Sequence, residues 1–156
     1  MCGPPRPLDW RLWPLVIAIA PSSAPSSVYR VLYLSHLAPG RDFSVVARIL
    51  HVSRERNQQL GISGVLVFDG ARFCQLIEGP RPQIVSLAQR IQADPRHTGY
   101  RVLFEGEDGS ARLLPRWRTG YCEPDALDVF EDDERLGAGR ALGTFMQCVP
   151  GWDLVS

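Results

Sequence analysis

Residues 63–79, "SGVLVFDGARFCQLIEG", hold two runs rich in β-branched and aromatic residues joined through Asp69 and Gly70. That pair supplies the positive backbone angles of a tight turn, so the stretch predicts an antiparallel hairpin. A hairpin commits the chain to a sheet, and a sheet needs another layer to cover it. Alternation in the second arm puts Phe73, Gln75 and Ile77 on one face and Cys74, Leu76 and Glu78 on the other. Gln75 then carries two amide donors and an acceptor onto a face that should be buried.

The flanking segments supply the rest of the fold. Residues 28–35, "VYRVLYLS", alternate Val28, Arg30, Leu32 and Leu34 against Tyr29, Val31, Tyr33 and Ser35, and predict a strand covered on both faces. Asp42 is placed to cap a helix through "FSVVARILHVSRERN" (43–57). Its stripes, Phe43, Val46, Ala47 and Leu50 beside Val45, Ile49 and Val52, run out into polar Ser53, Arg56 and Asn57. Pro82 opens a second helix with Ile84, Leu87, Ala88 and Ile91 at three-four spacing, and Pro95 sets its end. "YRVLFEG" (100–106) and "ARLLPRWRTGY" (111–121) read as strands. The order βαββαββ implies an α+β sandwich of ferredoxin-like type, a mixed five-stranded sheet with two helices on one face.

The ends of the chain divide from this unit. "LWPLVIAIA" (12–20) is shorter than the roughly 20 apolar residues a membrane span needs. Pro21 stands where a signal peptide would be cut. Residues 1–27 therefore read as a loose extension, or an upstream start, ending in the linker "PSSAPSS". Residues 28–121 form the expected domain and 122–156 a helical tail. In the tail, "DALDVFEDDE" and "RALGTFMQCV" predict two short helices, the second with Ala138, Ala141, Leu142, Phe145, Met146 and Val149 on one side. They would cover the open sheet face, where Leu32, Leu34 and Leu76 point.

Composition excludes several functions. Lys+Arg and Asp+Glu both number 17, with no basic block to neutralise phosphates, so neither nucleic acid nor a membrane surface is an expected partner. Cys2, Cys74, Cys122 and Cys148 form no close pair and the histidines are scattered, which argues against zinc and disulfides and fits the cytoplasm. No phosphate loop occurs, "GAGRALG" misses the dinucleotide spacing, and Asp94 with His97 has no nucleophile tied to it, so no enzymatic activity is expected. What stands out is Tyr33, Arg56 with Asn57, Gln75 and Trp117. First and third strands are neighbours in such a sheet, so Tyr33 and Gln75 can meet beneath the helices. Each alone would be an ordinary buried polar residue with a backbone partner. Converging on one apolar layer, they are costly unless something flat and polar lies there.

The run "SRERNQQLGISGVLVFDGARFCQLIEGP", with "VLYLS" before it and "DPRHTGYRVLFEG" and "PRWRTGY" after it, resembles the BLUF domain, a blue-light sensor that binds FAD. The resemblance covers roughly residues 28–121. It implies a flavin ring between the two helices, with Tyr33 and Gln75 as the light-active pair. It also implies Asn57 and Arg56 at the pyrimidine edge, Arg96 and His97 on the other side, and Trp117 in the last strand as part of the signal relay. Blue light is then expected to draw an electron and a proton from the tyrosine through the glutamine. The glutamine is left rearranged, with a new bond to the flavin, in a red-shifted state that decays in darkness.

One position departs from the pattern. Thr119 stands where the family commonly has methionine, and its hydroxyl offers Gln75 an alternative partner. The expected output is a shift of the tail helices that alters self-association, as a homo-oligomer, or contact with an unidentified downstream protein. Two rivals are a light-insensitive interaction module of the same fold and an acylphosphatase-like hydrolase, though "SHLAPGRD" lacks a convincing anion loop.

Overall fold

The computed structural model describes residues 27–132, 136 and 139–156, without the side chains of Phe43, Leu50, Val52 and Ser53. The expected extension of residues 1–27, apart from Ser27, and the placement of Ala138 lie outside the described residues.

The central strand β1 (Tyr29–Leu37) is buried from Tyr29 to Ser35, as its two-faced run of β-formers requires. It lies antiparallel between β3 (Arg72–Gly79) and β4 (His97–Gly106). The sheet continues through β2 (Ser63–Phe68) to β5 (Trp117–Tyr121), parallel to it, and ends at β6 (Asp153–Val155), in the order β4-β1-β3-β2-β5-β6. Helices α1 (Phe43–Gln59) and α2 (Arg81–Gln92) contribute Val46, Ile49 and Ile84 to one buried face, against Val31, Leu66 and Ile77. The tail covers the other face: Phe130 of the one-turn α3 (Asp128–Glu131) and Phe145 of α4 (Ala141–Cys148) pack with Leu32, Leu34 and Leu76. Among the described residues, no helix is long and apolar enough to cross a membrane.

Local chemistry sets the element ends. Asp42 caps α1 by accepting the Ser44 N–H at 2.9 Å. The chain leaves that helix through Gly61, whose φ of +69° is open to glycine at little cost. At the hairpin turn only Gly70 takes a positive φ, +101°. Asp69 works through its carboxylate instead, which accepts the N–H groups of Ala71 at 3.0 Å and Arg72 at 2.7 Å.

The expectation of five strands is corrected to six. Three residues, "DLV", carry too short an alternation to read as a strand, and β6 exists because its backbone pairs with β5. Gly120 permits this approach, since a Cβ there would fall 1.8 Å from the Asp153 carbonyl oxygen. The strand expected over 111–121 contracts to Trp117–Tyr121. Residues before it are held as a loop by Glu78, whose buried carboxylate accepts the backbone N–H groups of Leu113, at 3.0 Å, and Leu114.

Glu78 also receives the Nε–H of Arg30 at 2.9 Å, both side chains being fully buried. The same guanidinium reaches Asp108 and the carbonyl of Ala111, each at 2.5 Å. Removing one member of such a set leaves an uncompensated buried charge. Arg30→Met should therefore lower stability to urea unfolding by about 3–5 kcal/mol. A loss under about 1 kcal/mol would mean that water reaches Glu78 in solution.

Candidate functional site

Pairing of β1 with β3 sets Tyr33 directly opposite Gln75. Both face the helices, and the Tyr33 phenol donates to Gln75 Oε1. Tyr33 is 1% exposed and its ring lies 4.7 Å from that of Tyr100. Burial, reinforced by Tyr100, pushes the Tyr33 phenol well above its ordinary value, so it holds its proton. Tyr100 itself is pushed up to about 12 by burial.

Between α1, α2 and the sheet lies a cavity of about 480 Å³ that Tyr33 and Gln75 help to line. Gln75 gives its carbonyl to the phenol, which leaves its amide hydrogens for a group in the cavity. Asn57 enters from the last turn of α1, and Trp117 from the start of β5. Asn57 Nδ2 and Trp117 Nε1 are buried without a hydrogen-bond partner among the described residues. Orphaned donors of this kind are rare in folded proteins. Here they stand with Gln75 around one space to which Ile49, Leu66, Leu87 and Ile91 add apolar surface. The set suits a flat ring with acceptors on its edge.

The far wall is His97 and Arg96. His97 Nδ1 is 2.9 Å from Ser35 Oγ, and its ring rests 4.8 Å from that of Phe73. Burial lowers its affinity for a proton, against the pull of Asp94. Asp94 is itself held below the usual carboxylate range, first by its hydrogen bond from Arg96.

Of the residues singled out in the sequence, Tyr33, Asn57, Gln75, Arg96, His97 and Trp117 share the cavity. Arg56 does not. It lies in a neighbouring cleft of about 400 Å³ with Leu60 and Gln83, because consecutive helical residues point about 100° apart. Arg90 borders both spaces. Thr119 is also apart: Leu66 stands between it and Gln75 in the sheet, which separates them by about two strand spacings, close to 10 Å. Its hydroxyl is therefore not a direct partner for Gln75. The sequence reading missed Arg48 and Arg90, which line the cavity. Arg90, three residues after Leu87 on the same helical face, was open to detection by spacing.

Comparison with known proteins follows the same lines. The model of the BLUF family, described as sensors of blue light using FAD, matches residues 28–120. The blue light- and temperature-regulated antirepressor BluF of Escherichia coli (strain K12) is 33% identical over 67 residues, covering 43% of this chain and 17% of that protein. The photoactivated adenylate cyclase subunit beta of Euglena gracilis is 32% identical over 116 residues, 73% of this chain and 13% of its own length. The chain thus spans less than a fifth of these curated relatives. The dark-state structure of BlrB, a BLUF protein, superposes with a TM-score of 0.65 at 27% identity, covering 81% of this chain and 98% of that one.

Two outcomes test the site's physics. Leaving Asn57 Nδ2 unpaired costs about 1–3 kcal/mol, so Asn57→Leu should raise the urea midpoint of the ligand-free protein. A lowered midpoint would show that the amide is bonded in solution. The folded His97 binds a proton less readily than the unfolded one, so its contribution is present above the unfolded value near 6.5 and is lost as pH falls. Between pH 7 and pH 5 the unfolding midpoint of the unaltered protein should fall more steeply than that of His97→Gln. Parallel slopes would place His97 in water.

Proposed function

The chain belongs to the BLUF family, the sensors of blue light using FAD, and from that premise we propose that Tyr33 and Gln75 are its light switch. The single observation that carries this is the Tyr33–Gln75 hydrogen bond on the wall of a cavity ringed by unpartnered amide and indole donors. In this reading the flavin ring of FAD lies between α1 and α2, with Asn57 and Gln75 donating to its polar edge. Arg96 and His97 close the opposite side, and Arg48, Arg56 and Arg90 are available to the phosphates along the outer clefts. FAD supplies the absorption of blue light and the pull on an electron.

Tyr33 would supply that electron and, through Gln75, a proton, and would regain both on recombination, leaving Gln75 rearranged. Its buried phenol is neutral and has one acceptor, Gln75 Oε1, so the proton has a defined path. Gln75 can be satisfied in two ways: carbonyl to the phenol with its N–H groups toward the cavity, or the reverse. The two arrangements exchange donor and acceptor at both ends, so a local electronic event becomes a two-state change. We place the output in Trp117 and in the C-terminal segment from residue 122 over the second sheet face, where it alters self-association or contact with a downstream protein. No catalytic role is assigned to this chain.

The test is spectroscopic. Purified protein reconstituted with FAD should shift its absorption reversibly to the red under blue light. Tyr33→Phe should bind FAD and lose the shift. A shift that survives in that variant removes Tyr33 from its role. A protein that takes up no FAD supports the light-insensitive module instead.

A further inference from the structure

A second recess, which Trp117 also lines, is built from residues far apart in the sequence. It measures about 350 Å³ and gathers Arg54 of α1 with Arg112 and Arg116 of the loop before β5. Ser63 and Trp117 form part of its wall, and Ser156 reaches its rim from β6. Among the described residues no acidic side chain lines it. In a chain whose formal net charge is zero, three guanidinium groups around one recess are a strong local concentration of positive charge.

The three arginines are not equivalent. Arg112 is fixed: Nη1 donates to Ser63 Oγ at 2.5 Å and the Glu78 carbonyl at 3.2 Å, and Nη2 to the Gly61 carbonyl at 3.0 Å. Of its five N–H groups these use three, leaving the Nε–H and one Nη2–H. All its partners are neutral, so its charge is not offset. Arg54 and Arg116 are exposed and have no hydrogen-bond or ion-pair partner among the described residues.

The geometry points to a phosphoryl-binding site here, taking the phosphate or diphosphate group of a small metabolite. Guanidinium forks match tetrahedral oxyanions, and one pre-positioned fork flanked by two free ones suits a dianion better than a single carboxylate. A recess this small admits one or two phosphoryl groups. Trp117 walls both this recess and the cavity of Tyr33 and Gln75, so a bound anion would lie against a side chain that the two share. The binding does not rest on the photochemical reading.

The test uses the FAD-saturated protein, so that Arg48, Arg90 and Arg96 are already engaged. Sodium pyrophosphate and ADP are titrated at constant ionic strength against sodium chloride, with the thermal midpoint as the readout. At ten times its dissociation constant, pyrophosphate should raise the midpoint by about 3–5 °C. Arg54→Gln/Arg116→Gln, which alters only exposed and unpartnered side chains, should keep its own midpoint and lose the response. Arg54→Gln alone should weaken it. A larger shift with ADP assigns the site to a nucleotide, and equal shifts assign it to the phosphoryl groups alone. No shift beyond chloride, or an equal shift in the double variant, overturns the proposal.

Discussion

The pairing of β1 with β3 is the constraint on which the site depends. Tyr33 meets Gln75 because Arg30 meets Glu78 and Leu32 meets Leu76 in the same ladder. A slip of one residue would turn each of these side chains to the wrong face. Leu32, Leu34, Cys74 and Leu76 fill the core beneath the tail, whereas Val31, Phe73 and Ile77 fill the one beneath the helices, so a slipped register would empty both. Hydrophobic patterning thus fixes, without regard to light, the position at which a phenol and an amide face each other.

That ladder holds two buried polar pairs with opposite characters. Arg30 and Glu78 lie three residues from Tyr33 and Gln75, an odd offset that puts them on the opposite face. The charged pair is saturated: the guanidinium has three kinds of acceptor, and the carboxylate takes two backbone N–H groups besides the arginine. Such a set has one good arrangement. The neutral pair is unsaturated, with orphaned donors of Asn57 and Trp117 around it. A rigid pair anchors the strands, and a poised one sits where a ligand can complete it.

The sequence exposed what repeats locally and hid what forms by distant convergence. The hairpin, both long helices and the two-faced character of β1 follow from alternation, capping and proline. Tyr33 and Gln75 were placed together because strand order in a ferredoxin-like sheet is predictable once the element order is read. β6 was invisible because its identity rests on its partner's glycine and not on its own three residues. The segment 111–116 looked like a strand until the need of Glu78 for two backbone donors explained its path. Arg56 and Asn57, adjacent in sequence, separate by rotation on the helix. Arg54, Arg112 and Arg116 converge only in the folded chain, so no charged block announced them.

Transmission from Gln75 is constrained by what surrounds it. Its own strand is paired along both sides and packs on the tail through Cys74 and Leu76, so β3 is held at both edges and on that face. Arg72 extends this tie at the start of the strand, bonding the Pro124 carbonyl and the Asp128 carboxylate at 2.7 Å each. The row through Gln75 in the other direction runs Leu66, Thr119, Val155 and ends at an edge strand of three residues, with Val155 66% exposed. Beside this row Trp117 borders three clefts and, among the described residues, has no hydrogen bond to hold its indole. Displacement follows the least restrained packing, so in the proposed switch a rearranged Gln75 would meet less resistance toward β5 and β6 than along β3. The usual methionine position falls in that softer row, and the shorter Thr119 there leaves Trp117 as the large side chain that spans the site and the sheet edge.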